Sequence, residues 1–193
     1  MSSVSKTHYT AEEYLKRERA AEVKSEYING SIFAMAGASN EHNVITANIA
    51  RLLGNQLLNR PCQTTSSDLR VKVSETGLYT YPDVVVVCGK PEFEDEAADT
   101  LLNPTVIFEV LSPSTEAYDR GAKFHHYWRL RSLREYLLVA QDTPRVEHFV
   151  RQRDNEWLIS ISSDCEELIT LPSIECSVHL AEIYHKIAFN KEV

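Results

Sequence analysis

The sequence YPDVVVV at residues 81–87 is followed by VIFEVL at residues 106–111 and then by a segment that carries Lys123, and these three pieces determine the predicted fold. Both runs are apolar and rich in β-branched residues, so both are predicted to be buried strands. Each strand holds one carboxylate, Asp83 or Glu109, and a carboxylate among apolar residues is costly unless a cation pairs with it. The pattern therefore predicts two acids at one site, with a lysine nearby.

The two carboxylates are predicted to bind a divalent metal ion. Side chains alternate between the faces of a strand, so Glu109 interrupts a face that otherwise holds Ile107 and Leu111. Because both faces of this strand are apolar, we expect a central strand with Glu109 buried or in a cleft. Asp83 stands at the start of its strand, where sheets open towards ligands. Mg²⁺ and Mn²⁺ prefer oxygen ligands, so Asp83 and Glu109 are the candidate metal ligands.

A helix is predicted over residues 119–130, after a Ser-Pro-Ser-Thr turn. Asp119, Lys123 and Tyr127 then fall four residues apart and share roughly one face. Lys123 can reach the edge of the sheet, while Tyr127 packs or hydrogen-bonds below it. The spacing therefore predicts Lys123 as a cation that faces a phosphate beside the two acids.

Composition predicts one domain that spans residues 1–193. Hydrophobic residues make up 43% of the chain and charged residues 25%, which is typical of folded domains. No apolar run approaches the ~20 residues that cross a bilayer, and the N-terminus lacks the apolar core of a secretory signal. We therefore expect a cytoplasmic protein without membrane contact. Its cysteines are expected to stay reduced and mostly buried, because none forms a Cys-x-x-Cys pair; they are Cys62, Cys88, Cys165 and Cys176.

The other elements follow from periodicity and turn residues. Asn29-Gly30 predicts a hairpin, and apolar residues at helical spacing predict a core helix over residues 41–59. No internal repeat or linker divides the chain. The remaining predicted elements are a short helix at residues 10–20, strands at residues 62–73, 134–140, 146–150 and 157–161, and a closing helix at residues 179–188.

Charge is unevenly distributed along the chain. The net charge of −8 has the wrong sign for nucleic-acid binding by bulk electrostatics. Acidic side chains crowd residues 92–99, whereas residues 120–134 carry arginine, lysine and histidine but no acid. Two interpretations of this basic stretch stay open: a solvated helix face, or a local footprint for phosphates beside the acids.

The motifs occur in a specific order: EYING at residues 26–30, His42, YPDVVV at residues 81–86, FEVLSPST at residues 108–115, and then Asp119, Lys123 and Tyr127. In this order they resemble the Uma2 family of the PD-(D/E)XK nuclease superfamily, over most of the chain. The resemblance implies a restriction endonuclease-like α/β core, with a mixed β-sheet flanked by helices. It also implies a Mg²⁺- or Mn²⁺-dependent endonuclease that cleaves DNA. Asp83 and Glu109 would be its metal ligands, Glu26 a supporting acid, and Lys123 the catalytic cation.

Two features depart from the related patterns. The superfamily places a lysine two residues after the second acid, where this chain has Leu111. The resemblance therefore implies that Lys123 takes over that role. The hairpin often reads Asp-Gly-Glu in the family, but here Asn29 and Ser31 occupy the acidic positions, which argues against a second metal position.

Three functions stay open on the sequence. The first is a metal-dependent DNA endonuclease, which we expect to act as a homodimer by analogy with nucleases that cut two strands. The second is a nuclease-fold module that binds or interacts without catalysis, which the acidic net charge favours. The third is a hydrolase of small phosphate esters. His42 is either a helix-start residue or a member of the site.

Overall fold

The computed structural model describes residues 8–154 and 156–189. Its helices are α1 (Ala11–Glu18), α2 (Asn40–Leu57), α3 (Glu116–Tyr118), α4 (Phe124–Tyr127) and α5 (Leu180–Ile183), with a π-helical turn at Asp119–Lys123 and a 3₁₀ turn at Pro172–Ile174. Its strands are β1 (Ser25–Ile28), β2 (Ser31–Ala34), β3 (Cys62–Ser66), β4 (Arg70–Val73), β5 (Leu78–Thr80), β6 (Val84–Cys88), β7 (Thr100–Leu101), β8 (Val106–Leu111), β9 (Glu135–Ala140), β10 (Val146–Arg153), β11 (Glu156–Ser162), β12 (Leu168–Leu171) and β13 (Cys176–His179).

A six-stranded mixed sheet forms the centre of the described residues. Its strand order is β11-β10-β9-β8-β6-β3; β8 and β9 run parallel, and all other neighbours run antiparallel. A five-stranded sheet has the order β2-β1-β5-β4-β7, and β12 pairs with β13. The predicted α/β class, a mixed β-sheet flanked by helices, is confirmed.

One face of the central sheet packs against α2. Ile45, Ile49 and Leu53 from this helix form one core with Val84 of β6 and Phe108 of β8. The helix begins after Ser39, whose side-chain oxygen accepts a hydrogen bond from the backbone N–H of His42, three residues later. This packing holds the helix start close to the strand end at residue 83.

The opposite face of the central sheet is covered by the small sheet and the segment around α4. Ile107 and Val85 lie on this face and pack with Tyr127 of α4 and Leu78 of β5. Glu109 belongs to the same face by strand alternation, and only 3% of its surface is exposed. The expectation of a buried acid within an apolar strand is therefore met.

Three predicted elements differ from the structure. The helix predicted over residues 119–130 is a π-helical turn at Asp119–Lys123 followed by α4, which ends at Tyr127. The strand predicted over residues 62–73 is two strands, β3 and β4, in different sheets. Ser67 has a φ of 52° and turns the chain between them, a conformation unusual for a residue with a side chain. The closing helix predicted at residues 179–188 is shorter in the structure, where α5 ends at Ile183. Lys186 has a φ of 69°, which is incompatible with an α-helix.

The prediction that all cysteines stay reduced is wrong. Cys62 and Cys88 form a disulfide, since they lie opposite each other in β3 and β6. Cys176 is free and buried, and Cys165 is free but exposed. The sequence does not predict this disulfide, because the pairing depends on the register of two strands that are far apart in the chain.

No helix among the described residues has both the length and the apolar character needed to cross a membrane.

Candidate active site

Asp83 and Glu109 are neighbours across two central strands. Val84 pairs with Phe108 in the antiparallel register of β6 and β8, and one further step of that register brings Asp83 opposite Glu109. The backbone N–H of Val110 donates a 2.7 Å hydrogen bond to Asp83 Oδ2. The two predicted acids therefore meet on one face at the end of β6.

Lys123 lies among three carboxylates that come from three parts of the fold. Its Nζ is 2.9 Å from Glu109 Oε1 in the central sheet and 3.4 Å from Glu26 Oε1 in the small sheet. It is also 3.3 Å from Asp119 Oδ1 in the π-helical turn. The structure thus brings Glu26, Glu109 and Lys123 together as predicted, and adds Asp119, which sequence reasoning had placed only on the same helix face.

Two buried tyrosines hold this arrangement. The Tyr127 hydroxyl donates a 2.8 Å hydrogen bond to Glu109 Oε1, which realises the predicted packing of that residue below Lys123. The Tyr136 hydroxyl donates a 3.1 Å bond to the backbone carbonyl of Asp119. Because a π-helical turn disturbs the regular backbone hydrogen bonds of a helix, the Tyr136 contact supports the turn that positions Asp119.

The site holds more negative than positive charge. Burial raises the pKa of the Glu109 carboxyl well above its usual value; Lys123 opposes this rise, and Asp119 and Asp83 add to it. Burial also lowers the pKa of Lys123, but Glu109, Glu26 and Asp119 outweigh that effect and leave it well above its usual value. Lys123 therefore remains an ammonium ion, and one cation faces four nearby acids.

His42 contacts the first of these acids. Its Nε2 lies 2.8 Å from Asp83 Oδ1, within hydrogen-bond distance. Its Nδ1 is buried without a hydrogen-bond partner in the part of the chain that the structure describes. The structure shows both features that the sequence left open: His42 lies at the helix start, where its backbone N–H donates to Ser39 Oγ, and its side chain contacts Asp83.

The acids suit a hard metal ion by their chemistry. Among the described residues, no three or more histidine, cysteine, aspartate or glutamate side chains are spaced to hold a metal by themselves. Mg²⁺, however, commonly uses one or two carboxylates and completes its shell with water and substrate phosphate. Asp83 and Glu109 provide such a pair, and the excess negative charge around them favours a cation.

The basic stretch does not form a single patch beside the acids. Arg120 is engaged by Glu116 at 2.7 Å and by Glu147 at 2.5 Å. The backbone N–H of Arg134 bonds the carbonyl of Thr105, which places it at the start of β8 rather than at the end near Glu109. Arg120 is thus occupied by two carboxylates outside the site, whereas Lys123, from the same basic stretch, reaches the acids.

The mixed sheet, its flanking helices and the acids at a central strand end define a restriction endonuclease-like fold. The fold is similar to a crystal structure from Anabaena variabilis described as a "putative nuclease belonging to DUF820", with a TM-score of 0.75 and 20% identity over 91% of this chain and 97% of that one. The Uma2 family model, "Putative restriction endonuclease", matches residues 11–181. The chain therefore belongs to the Uma2 family.

Relatives of the chain occur in Synechocystis sp. One uncharacterized protein of that organism is 42% identical over 151 residues, which cover 78% of this chain and 85% of the relative. A second uncharacterized protein is 37% identical over 178 residues, 92% of each chain. The likeness extends across nearly the whole length of the second relative, so the family assignment does not rest on an isolated motif.

Proposed function

We propose that this protein is a metal-dependent endonuclease that hydrolyses DNA phosphodiester bonds. The observation that carries the proposal is that Asp83 is hydrogen-bonded to the Val110 N–H beside Glu109, while Lys123 Nζ lies 2.9 Å from Glu109 Oε1. Two acids and an ammonium group supply what cleavage of a phosphate diester needs: ligands for a hard cation and a charge for the phosphate. The family membership and the nuclease-like fold support the same reaction class.

Asp83 and Glu109 would hold Mg²⁺ or Mn²⁺. Asp83 is oriented by the Val110 amide and by His42, and Glu109 by Tyr127, so both carboxylates are fixed before a cation arrives. When bound, the cation would polarise the scissile phosphate and lower the pKa of an attacking water. The rigid placement of both ligands reduces the entropy lost on binding.

The substrate would enter from the side of Asp83. The side chains of Asp83, His42 and Glu26 are 17%, 14% and 13% exposed, whereas those of Glu109 and Lys123 are only 4% and 6% exposed. A phosphate would therefore approach past Asp83 and meet the Lys123 ammonium below it. Lys123 would stabilise the negative charge that develops on the phosphate oxygens.

Glu26 would act as a supporting acid rather than as a metal ligand. Its Oε1 accepts a hydrogen bond from the Thr80 hydroxyl and lies 3.4 Å from Lys123 Nζ. This contact keeps the ammonium group within the site and limits its rotation. Glu26 would thus orient Lys123 towards the phosphate.

A plasmid-nicking assay tests the proposal. Wild type, Glu109→Gln and Glu116→Gln are incubated with supercoiled DNA and Mg²⁺ or Mn²⁺; Glu116 lies outside the acid cluster and serves as the control. We expect nicking by wild type and the control, and a loss of at least about 100-fold in Glu109→Gln, as when one electrostatic stabilising group is removed. Equal nicking by wild type and Glu109→Gln would reject the proposal. Turnover of nucleotides without DNA cleavage would favour the small phosphate ester hydrolase instead.

We further propose a homodimer that forms through β11. This edge strand of the central sheet has no charged residue from position 157 to position 162, and Leu158, Ile159 and Ile161 are each more than half exposed. Exposed apolar edge strands without charges readily pair with another strand. At the opposite edge, β3 has the polar sequence CQTTS.

A second copy suits this edge because the strand can pair with itself. In an antiparallel pair with a two-fold axis at Ile159, Trp157 of one copy faces Ile161 of the other, and no charges of like sign oppose each other. Light scattering on wild type, Ile159→Lys and the control Thr64→Lys on β3 tests this. We expect Ile159→Lys alone to be monomeric. A monomeric wild type would contradict the proposal.

A further inference from the structure

Lys123 is placed to exchange one carboxylate partner for another. Its Nζ is 2.9 Å from Glu109 Oε1 and 3.3 Å from Asp119 Oδ1. Glu109 Oε1 also accepts the Tyr127 hydroxyl, so it keeps a donor if the ammonium moves away. Asp119 Oδ1, in contrast, is buried and accepts no hydrogen bond from any described residue.

We propose that Asp119 is a positioning residue, which takes over Lys123 from Glu109 when a divalent cation binds. The inference rests on the metal site proposed above at Asp83 and Glu109. A dication on Glu109 competes with the ammonium for the same carboxylate and repels it. Since a buried acceptor without a donor is costly, Asp119 offers Lys123 a favourable second position close to the first.

The π-helical turn fixes the distance between the two members of this exchange. Asp119 and Lys123 stand at its two ends, and both are buried, at 3% and 5% exposure. Tyr136 anchors the turn through the Asp119 carbonyl. π-Helical turns are frequent at functional sites, and this one directs both side chains into the acid cluster.

Glu26 is a weaker candidate for the same task. Its Oε1 lies 3.4 Å from Lys123 Nζ but already accepts the Thr80 hydroxyl. If the ammonium moved towards Glu26, it would therefore not supply a hydrogen-bond donor to an acceptor that lacks one. Asp119 is the carboxylate that gains a partner when Lys123 leaves Glu109.

A double-mutant cycle on Mn²⁺ affinity tests the inference without an activity assay. Calorimetric titrations compare wild type, Asp119→Asn, Lys123→Met and the double variant, with Glu116→Gln as the matched control on the same segment. With Lys123 present, Asp119→Asn is expected to weaken Mn²⁺ binding at least about fivefold more than in the Lys123→Met background, because its effect passes through the lysine. An equal effect in both backgrounds would show a direct electrostatic role and overturn the inference.

Crystal structures of wild type with and without Mn²⁺ give a second measurement that does not depend on how the variants fold. With Mn²⁺, Lys123 Nζ is expected to lie closer to Asp119 Oδ1 than to Glu109 Oε1. An ammonium that stays on Glu109 while Mn²⁺ is bound would overturn the exchange and leave the metal site intact. A wild type that binds no Mn²⁺ would instead reject the metal site of the proposed function, and the exchange with it.

Discussion

The Asp83 carboxylate accepts a 2.7 Å hydrogen bond from the backbone N–H of Val110, the residue that follows Glu109 in the neighbouring strand. This bond ties the first acid to the backbone beside the second acid. The position of both carboxylates is therefore set by the pairing of β6 with β8, and not by flexible loops. Sites built on paired strands are held more rigidly than sites built on loops.

Asp83→Asn should separate metal binding from stability. The variant retains an oxygen that can accept the Val110 N–H but loses the charge, so Mn²⁺ affinity should fall by at least about 100-fold, the upper end of the cost of losing an outer-shell partner. The melting temperature without metal should stay the same or rise, because Asp83 and Glu109 no longer repel. Calorimetry and thermal denaturation measure the two effects. A large loss of stability without metal would contradict a role in binding.

His42→Ala should weaken metal binding through Asp83. The histidine orients the carboxylate from the start of α2, and removal of such an outer-shell partner typically costs about 10- to 100-fold in metal affinity. His125→Ala is the control, because His125 is exposed and lies outside the acid cluster. Unchanged Mn²⁺ affinity in His42→Ala would show that the Val110 amide alone orients Asp83.

Tyr127→Phe should destabilise the fold. The variant removes one hydroxyl that donates to the buried carboxyl of Glu109, and we expect a loss of about 1–3 kcal/mol in the free energy of unfolding. Urea denaturation measures this quantity. An unchanged midpoint would mean that Lys123 alone satisfies the carboxylate.

Reduction of the Cys62–Cys88 disulfide should lower stability without abolishing metal binding. The bond closes a loop with a sequence separation of 26 residues, for which loop-entropy arguments give about 3.5 kcal/mol. Cys88 ends β6, whereas Asp83 precedes the other end of that strand. Thermal denaturation with and without reductant, and of a Cys62→Ser/Cys88→Ser variant, checks the effect. Equal melting temperatures would show that the bond does not contribute.

Asp99→Asn should show a pH-dependent effect on stability. The Arg19 guanidinium hydrogen-bonds Asp99; burial opposes its effect, but Thr100 and Arg70 add to it, and the pKa of the carboxyl stands well below its usual value. A pKa that is lower in the folded state stabilises the fold above the unfolded value of about 3.9, and this stabilisation is lost as the pH falls below it.

The melting temperature of Asp99→Asn should therefore lie below that of wild type at neutral pH, and the difference should shrink as the solution is acidified below about pH 4. A difference that stays constant between neutral and acidic pH would contradict the ion pair as its cause. The Arg19–Asp99 contact is 2.8 Å long and joins α1 to the acidic loop.

The sequence predicts the strands that carry the acids because their periodicity is strong. The apolar runs around Asp83 and Glu109 identify central strands, and alternation alone assigns Glu109 to the face shared with Ile107. The Asn29-Gly30 hairpin and the core helix near Ile45 follow from local turn and spacing rules in the same way. Each of these features is decided within one short segment.

Features that depend on tertiary contacts cannot be predicted from the sequence. The turn at Ser67 and the disulfide partner of Cys62 follow from strand register between distant segments. The π-helical turn that holds Asp119 and Lys123 accepts a hydrogen bond from the Tyr136 hydroxyl of β9, a contact between segments that local spacing does not reveal. Short elements such as β5 and β12 gain their stability from their neighbours, and local propensity does not identify them.

Anomalous diffraction from a crystal of the protein soaked in Mn²⁺ locates the proposed metal site. A Mn²⁺ peak bound by the carboxylates of Asp83 and Glu109 is expected in wild-type crystals, and its loss is expected in crystals of Glu109→Gln. A peak at another position, or no peak in wild-type crystals, would contradict the proposed site.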